Sequence, residues 1–102
     1  MDRQPELQTL LQTLVPIGKK VYFQPPPSIE LEYPCIVYKR DAASTKFAGN
    51  QPYRYTKRFQ VTVIDENPAS DIPDKVAALP MCIFNRYFAA GNLNHDVFVI
   101  YF

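Results

Sequence analysis

The sequence predicts an α+β fold: a two-layer domain with a mostly antiparallel sheet and two helices on one face, in the order α-β-β-β-α-β-β. Three patterns carry that expectation. Leu7, Leu10, Leu11 and Leu14 recur at helical spacing. Phe59, Val61 and Val63 alternate with Arg58, Gln60 and Thr62, the period of a half-buried strand. Two apolar runs, residues 83–90 and 96–102, flank Gly91-Asn92-Leu93-Asn94, whose turn chemistry predicts an antiparallel hairpin. Helices laid on one face of such a sheet make two layers.

The first helix is expected over residues 3–15. Pro5 suits its first turn, Gln8, Thr9, Gln12 and Thr13 cover the face away from the leucines, and Pro16 and Gly18 end it. A short strand follows at residues 19–24. Pro25-Pro26-Pro27 then stops sheet pairing, because each proline removes a donor, and makes a stiff extended connection. Residues 33–40 form the second strand, with Pro34 at its start. Residues 41–55 show no clear periodicity. They are either a functional loop or an extended β-hairpin whose arms the pattern hides. The clearest strand is residues 56–65, broken by Asn67-Pro68. Residues 71–79 read as a short helix with Asp71 as N-cap, Pro73 in the first turn and an apolar face of Ile72, Val76 and Leu79. In residues 96–102 nearly every side chain is apolar, which predicts burial on both faces, or on one face with a partner on the other.

The 102 residues make one domain, residues 1–102, expected to have a radius of gyration near ~13 Å. A hydrophobic fraction of 47% supplies a core without disulfides or metal. The net charge of +1 lacks the basic surplus that phosphate binding uses, which disfavours a polyanion partner. The polar start, Met1 to Glu6, has no apolar signal segment, and no apolar run reaches the roughly 20 residues of a membrane span. The expectation is a protein made in a cytoplasm, with no membrane partner.

Chemical signatures are sparse. Cys35 and Cys82 sit in apolar runs and read as buried thiols, and zinc would need more ligands than one histidine provides. Cys82 with His95 could make a nucleophile and base, but no signature surrounds either residue. His95 beside Asn94 reads as a hairpin-corner residue bonding the turn backbone. Asp65, Glu66, Asp71 and Asp74 read as capping and solvated groups, and Gly18, Gly49 and Gly91 lie too far apart for a phosphate loop. No catalytic, metal or cofactor site is expected. Lys39, Arg40, Lys46, Arg54, Lys57 and Arg58 gather around the central segment, interleaved with Phe47, Tyr53 and Tyr55. Three readings stay open for them: solvated strand flanks, a protein interface, or stacking on nucleic acid.

Several segments, in order, carry a resemblance: Tyr22-Phe23-Gln24-Pro25-Pro26 after the leading helix, Tyr33-Pro34-Cys35-Ile36-Val37-Tyr38, Arg58-Phe59-Gln60-Val61-Thr62-Val63-Ile64-Asp65, Ala78-Leu79-Pro80-Met81-Cys82, and Asn92-Leu93-Asn94-His95-Asp96-Val97-Phe98. Together they resemble the small tail-completion proteins of tailed bacteriophages, nearest in function to the tail terminator (tail-to-head joining) family. The resemblance spans nearly the whole chain and rests on packing and turn patterns.

That resemblance implies a structural virion protein of the head-proximal tail, without enzyme activity or cofactor. Such proteins form a hexameric ring that caps the tail tube, ends its polymerisation and offers the surface joined to the head. The implied partners are copies of itself, the tail tube protein and the head-tail connector or head-closure protein, with DNA only passing through the lumen. A closed ring needs two unlike sticky patches on each subunit. The candidates are the central segment, with Lys46, Phe47, Tyr53, Arg54, Tyr55 and Arg58, and the last strand, with Phe98, Ile100 and Phe102. Residues 41–55 are then expected to project toward the tube or lumen. The alternatives are another head-tail neck component, a small nucleic-acid-binding module, and a small hydrolase using Cys82 and His95.

Overall fold

The leucine stripe folds as α1 (Gln4–Gln12), with Leu7 and Leu11 fully buried and Leu10 and Leu14 packed partly against the same core. The computed structural model describes residues 4–16, 18–48 and 51–102, and the backbone alone over residues 42–48 and 51–56. Two of the glutamines expected on the far face of α1 instead tie it down. Gln8 Nε2 donates to the Val21 carbonyl at 3.0 Å, and Gln12 Nε2 donates to the Lys19 carbonyl at 2.8 Å. They satisfy backbone acceptors of the following segment that the helix covers.

The strands are β1 (Val21–Phe23), β2 (Cys35–Ala48), β3 (Gln51–Asp65), β4 (Cys82–Ala90) and β5 (Leu93–Tyr101), with α2 (Ile72–Ala77) between β3 and β4. They form one five-stranded sheet in the order β1-β2-β3-β5-β4. Only β1 runs parallel to its neighbour, and the other pairs are antiparallel. The expected α+β architecture and element order are what the chain adopts.

Cross-strand neighbours share a face of the sheet. One face carries Ile36 and Tyr38 of β2, Phe59, Val61 and Val63 of β3, and Phe98 and Ile100 of β5. Both helices cover it: Leu7 and Leu11 of α1 and Ile72 and Val76 of α2 join these residues in one buried cluster. Tyr38 is its hub. Its ring lies 4.8 Å from Phe23 and 6.1 Å from Phe59. Its hydroxyl accepts from Gln4 Nε2 and donates to Gln8 Oε1, each at 2.6 Å. A fully buried tyrosine thus keeps both hydrogen-bonding functions satisfied by α1.

Several boundaries moved for physical reasons. Asp71 stands at the N-cap of α2 but makes no side-chain cap; Ser70 Oγ accepts from the Ile72 N–H at 3.3 Å, while Asp71 pairs with Lys75 at 3.7 Å. The C-terminal hairpin turns on Gly91-Asn92 alone, since Ala90 already pairs with Leu93. Gly91 takes φ +62°, as a tight hairpin turn requires. His95 is therefore a strand residue opposite Phe88 and Ile64, and it does not sit at the hairpin corner.

The unpatterned central segment is the tip half of a long hairpin. β2 and β3 stay paired from Cys35↔Ile64 out to Ala48↔Gln51, so of the two readings the extended hairpin is the one adopted. Fourteen residues at ~3.4 Å each reach about 48 Å, which accounts for the 51 Å long axis. The radius of gyration, 14.8 Å, exceeds the compact expectation for the same reason.

Candidate functional site

Two surfaces stand out, and the sheet order creates both. The first is the hairpin arm. β5 pairs with β3 only as far as Arg58↔Tyr101, and the Phe102 N–H donates to the Lys57 carbonyl at 3.0 Å. β1 pairs with β2 only over Ile36 to Tyr38. Gln24, turned out of β1 by a left-handed φ of 45°, extends that edge by one rung, its Oε1 accepting from the Arg40 N–H at 3.2 Å. Beyond these points residues 41–48 and 51–56 pair, among the described residues, only with each other. Asp41 sits in a register shift at the arm's root, its Oδ1 accepting from Arg58 Nε at 2.9 Å. That bond, with Tyr101 behind it, raises the pKa of Arg58.

The second surface is β4. It is an edge strand of nine residues, Cys-Ile-Phe-Asn-Arg-Tyr-Phe-Ala-Ala, with one charge and no proline. Of the seven large hydrophobic side chains exposed among the described residues, five lie between Met81 and Phe88. Met81 and Ile83 are 58% and 61% exposed. Met81 also adopts a positive φ of 59°, a conformation disfavoured for a side chain with a Cβ, and its carbonyl accepts from the Tyr101 N–H. Beside it a mostly apolar hollow of about 360 Å³ opens between Leu10, Leu79, Ile100 and Phe102. Scattered exposed apolar residues are ordinary; five within eight residues along one open edge, on both faces of the strand, make this edge a candidate contact surface.

Among the described residues the titratable groups do not converge. Cys82 lies opposite Ile100 on the helix-covered face, whereas His95 pairs with Ile64 and Phe88 on the other. They are five rungs apart, roughly 17 Å along the strand, so they form no nucleophile–base pair. The His95 ring stacks on Phe88 at 4.5 Å, and its buried Nδ1 has no hydrogen-bond partner among the described residues. The Arg86 guanidinium lies 5.5 Å from the centre of the Phe88 ring. Asp65 Oδ1 accepts from the Asn67 N–H at 2.9 Å, a local turn role. Among the described residues no three His, Cys, Asp or Glu side chains group as a metal site. Burial, then the Asp74 charge, raises the pKa of Asp96, and His95 offsets part of that rise.

Both cysteines are free, and two strands separate β2 from β4 in the sheet, so the two thiols do not meet. Cys35 is fully buried, while Cys82 is half-buried. Burial, helped by Asp65, pushes the Cys35 thiol up to about 11 from 9.0. The unfolded chain therefore loses this proton first, and Cys35 contributes a stability that falls as pH rises from about 9 toward about 11. Cys35→Ala is expected to flatten this alkaline decline in a pH series of urea midpoints. An equally steep decline in the variant would rule the cause out.

The site residues expected from the sequence divide. Lys46 and Arg54 stand opposite one another on the arm, with Tyr55 opposite Thr45. Phe47 lies opposite Pro52, next to Tyr53. The side chains of these five candidates (Lys46, Phe47, Tyr53, Arg54, Tyr55) lie outside the described residues. Arg58 roots the arm through Asp41. Phe98 and Ile100 are 2% and 1% exposed and face the core of their own chain, since β5 is an inner strand between β3 and β4. Phe102 packs partly against that core. The basic residues do not form one stripe: Arg40 and Lys57 flank Phe59 in a cleft on the helix side, while Arg58 and Lys39 fall on the opposite face. Sequence reading missed β4 as the exposed strand. The signal available was its composition, apolar like an inner strand yet interrupted by Asn85-Arg86, where the register with β5 slips.

Among the described residues no helix is long and apolar enough to cross a membrane. Comparison with known proteins finds no matching family model, no matching curated protein and no matching solved structure.

Proposed function

We propose that this chain is a structural virion protein that caps a bacteriophage tail tube as a ring, ends tube polymerisation and offers the surface joined to the head. Two supports meet here. The ordered segments from Tyr22 to Phe98 resemble the tail-completion family, and the chain carries two unlike contact surfaces on one small sheet. The second observation carries the reading. An open apolar edge at β4 and a projecting arm at the opposite flank of β3 suit a head-to-tail contact, in which one patch of a subunit meets a different patch of the next. A rotation that closes turns such contacts into a ring.

The experiment is purified chain mixed with growing tail tubes, followed by negative-stain imaging and light scattering. Tubes capped at one end and held at fixed length are the expected result. Tubes that lengthen as freely with the chain as without it would overturn the reading and direct the next binding assay to filled heads.

A further inference from the structure

Building on the self-assembly proposed above, we infer that copies of this chain join by strand addition: β4 of one copy pairs along the outer edge of residues 42–46 in the β2 arm of the next. Each half of this contact is an anomaly in the single chain. Natural sheets blunt their edges with short strands, charges or prolines. The β1 edge follows that rule, with three residues and then Pro25-Pro26-Pro27. β4 follows it less: it offers nine residues without a proline, blunted by Arg86 and the irregularity at Phe84/Arg86.

The arm has the complementary defect. A two-stranded ribbon is marginally stable in water by itself, yet residues 41–48 and 51–56 continue as one well past the ends of β1 and β5. Of its two open edges, the β3 side carries Pro52, which lacks an N–H, while residues 41–48 contain no proline. The lengths agree. Between the register shifts at Arg40/Ala42 and Lys46/Phe47, residues 42–46 make a regular run of five rungs. Beyond its own irregularity at Phe84/Arg86, β4 has a regular run of five at residues 86–90. Each spans roughly 17 Å.

One contact then completes both features: the arm gains a third strand, and the half of the apolar edge that carries Tyr87 and Phe88 is covered. The competing arrangement, β4 against β4 about a two-fold axis, would cover the edge and leave the arm unpaired. Backbone pairing at a sheet edge supplies affinity without special side chains.

The test uses two variants of the full chain. In the first, Tyr87→Lys with Phe88→Lys charges the edge within residues 86–90 and leaves the arm intact. In the second, residues 44–56 are replaced by Asn-Gly, which closes the hairpin after the Ala43↔Lys57 pair and leaves the edge intact. Thermal unfolding verifies that both fold. In analytical ultracentrifugation the wild type is expected to associate, each variant alone to sediment as a monomer, and their mixture to form a 1:1 dimer that grows no further.

A short-arm variant that still self-associates would establish β4-to-β4 pairing and overturn the inference. So would a mixture that stays monomeric, or a wild type that is monomeric at the highest attainable concentration. The edge variant alone carries the test if the short-arm chain does not fold, because an edge variant that assembles like the wild type also overturns the contact. The two proposals fail separately. A wild type that associates through these surfaces but leaves tail tubes uncapped rejects the tail function and keeps the contact; tubes capped by the short-arm variant do the reverse.

Discussion

Tyr38→Ala is expected to cost about 3–5 kcal/mol of folding stability, the range for truncating a large buried aromatic side chain. Tyr38 is fully buried, and its ring packs against those of Phe23 and Phe59 on the helix side of the sheet. Its ring fills the space between Phe23 and Phe59, and its hydroxyl is held by Gln4 and Gln8. For a domain of this size such a loss lowers the thermal midpoint by about 12–40 °C. Tyr38→Phe separates the two contributions. It keeps the ring and removes one hydroxyl, so its cost is expected to be about 1 kcal/mol. Differential scanning calorimetry of both variants checks the division. A Tyr38→Phe loss as large as that of Tyr38→Ala would mean that the hydrogen bonds, not the packing, hold α1 to the sheet.

The second large effect is at Leu7 and Leu11. Each is fully buried, and each leucine-to-alanine change in a core costs about 2–5 kcal/mol. The two lie one turn apart on the same helix, so their effects need not add. α1 has nine residues, too few to be helical without tertiary packing. Leu7→Ala with Leu11→Ala is therefore expected to do more than weaken the core: it should release α1 and uncover Ile36 and Tyr38. Urea titration distinguishes the two outcomes. A lower midpoint with an unchanged slope means a docked but weaker helix. A smaller slope as well means that less surface remains to be exposed, because α1 has already left the sheet. An unaltered midpoint would contradict the structure's account of α1.

Much of the fold was legible because its signals are local. Leu7 and Leu11 announced a helix and its buried face, and Phe59, Val61 and Val63 announced a strand and its buried face. The exceptions are also physical. Gln8 and Gln12 read as solvent-facing, but they point at backbone acceptors that exist only once the segment after the helix folds back. His95 read as a turn residue because Leu93 and Asn94 have loop chemistry, yet the hairpin closes on Gly91-Asn92 and draws both into β5. Residues 41–55 showed no period because they pair beyond the ends of β1 and β5, past the neighbouring strands whose buried face imposes alternation on residues 35–40 and 58–65.

The candidate interface was half legible. The central segment was singled out, and it does project from the sheet as a hairpin arm. The last strand was singled out for its apolar composition, but that composition reflects an inner position between β3 and β4. The strand left open is β4, whose apolar run looks much the same on paper.

By itself the sequence determined the elements, their order and the side each helix buries, because periodicity and turn chemistry act over a few residues. Tertiary structure alone decided which strand became an edge, how far the arm outran its neighbours and that Cys82 and His95 fall on opposite faces. Those outcomes depend on pairing between segments far apart in the chain, and a strand's composition does not record which neighbours it will meet.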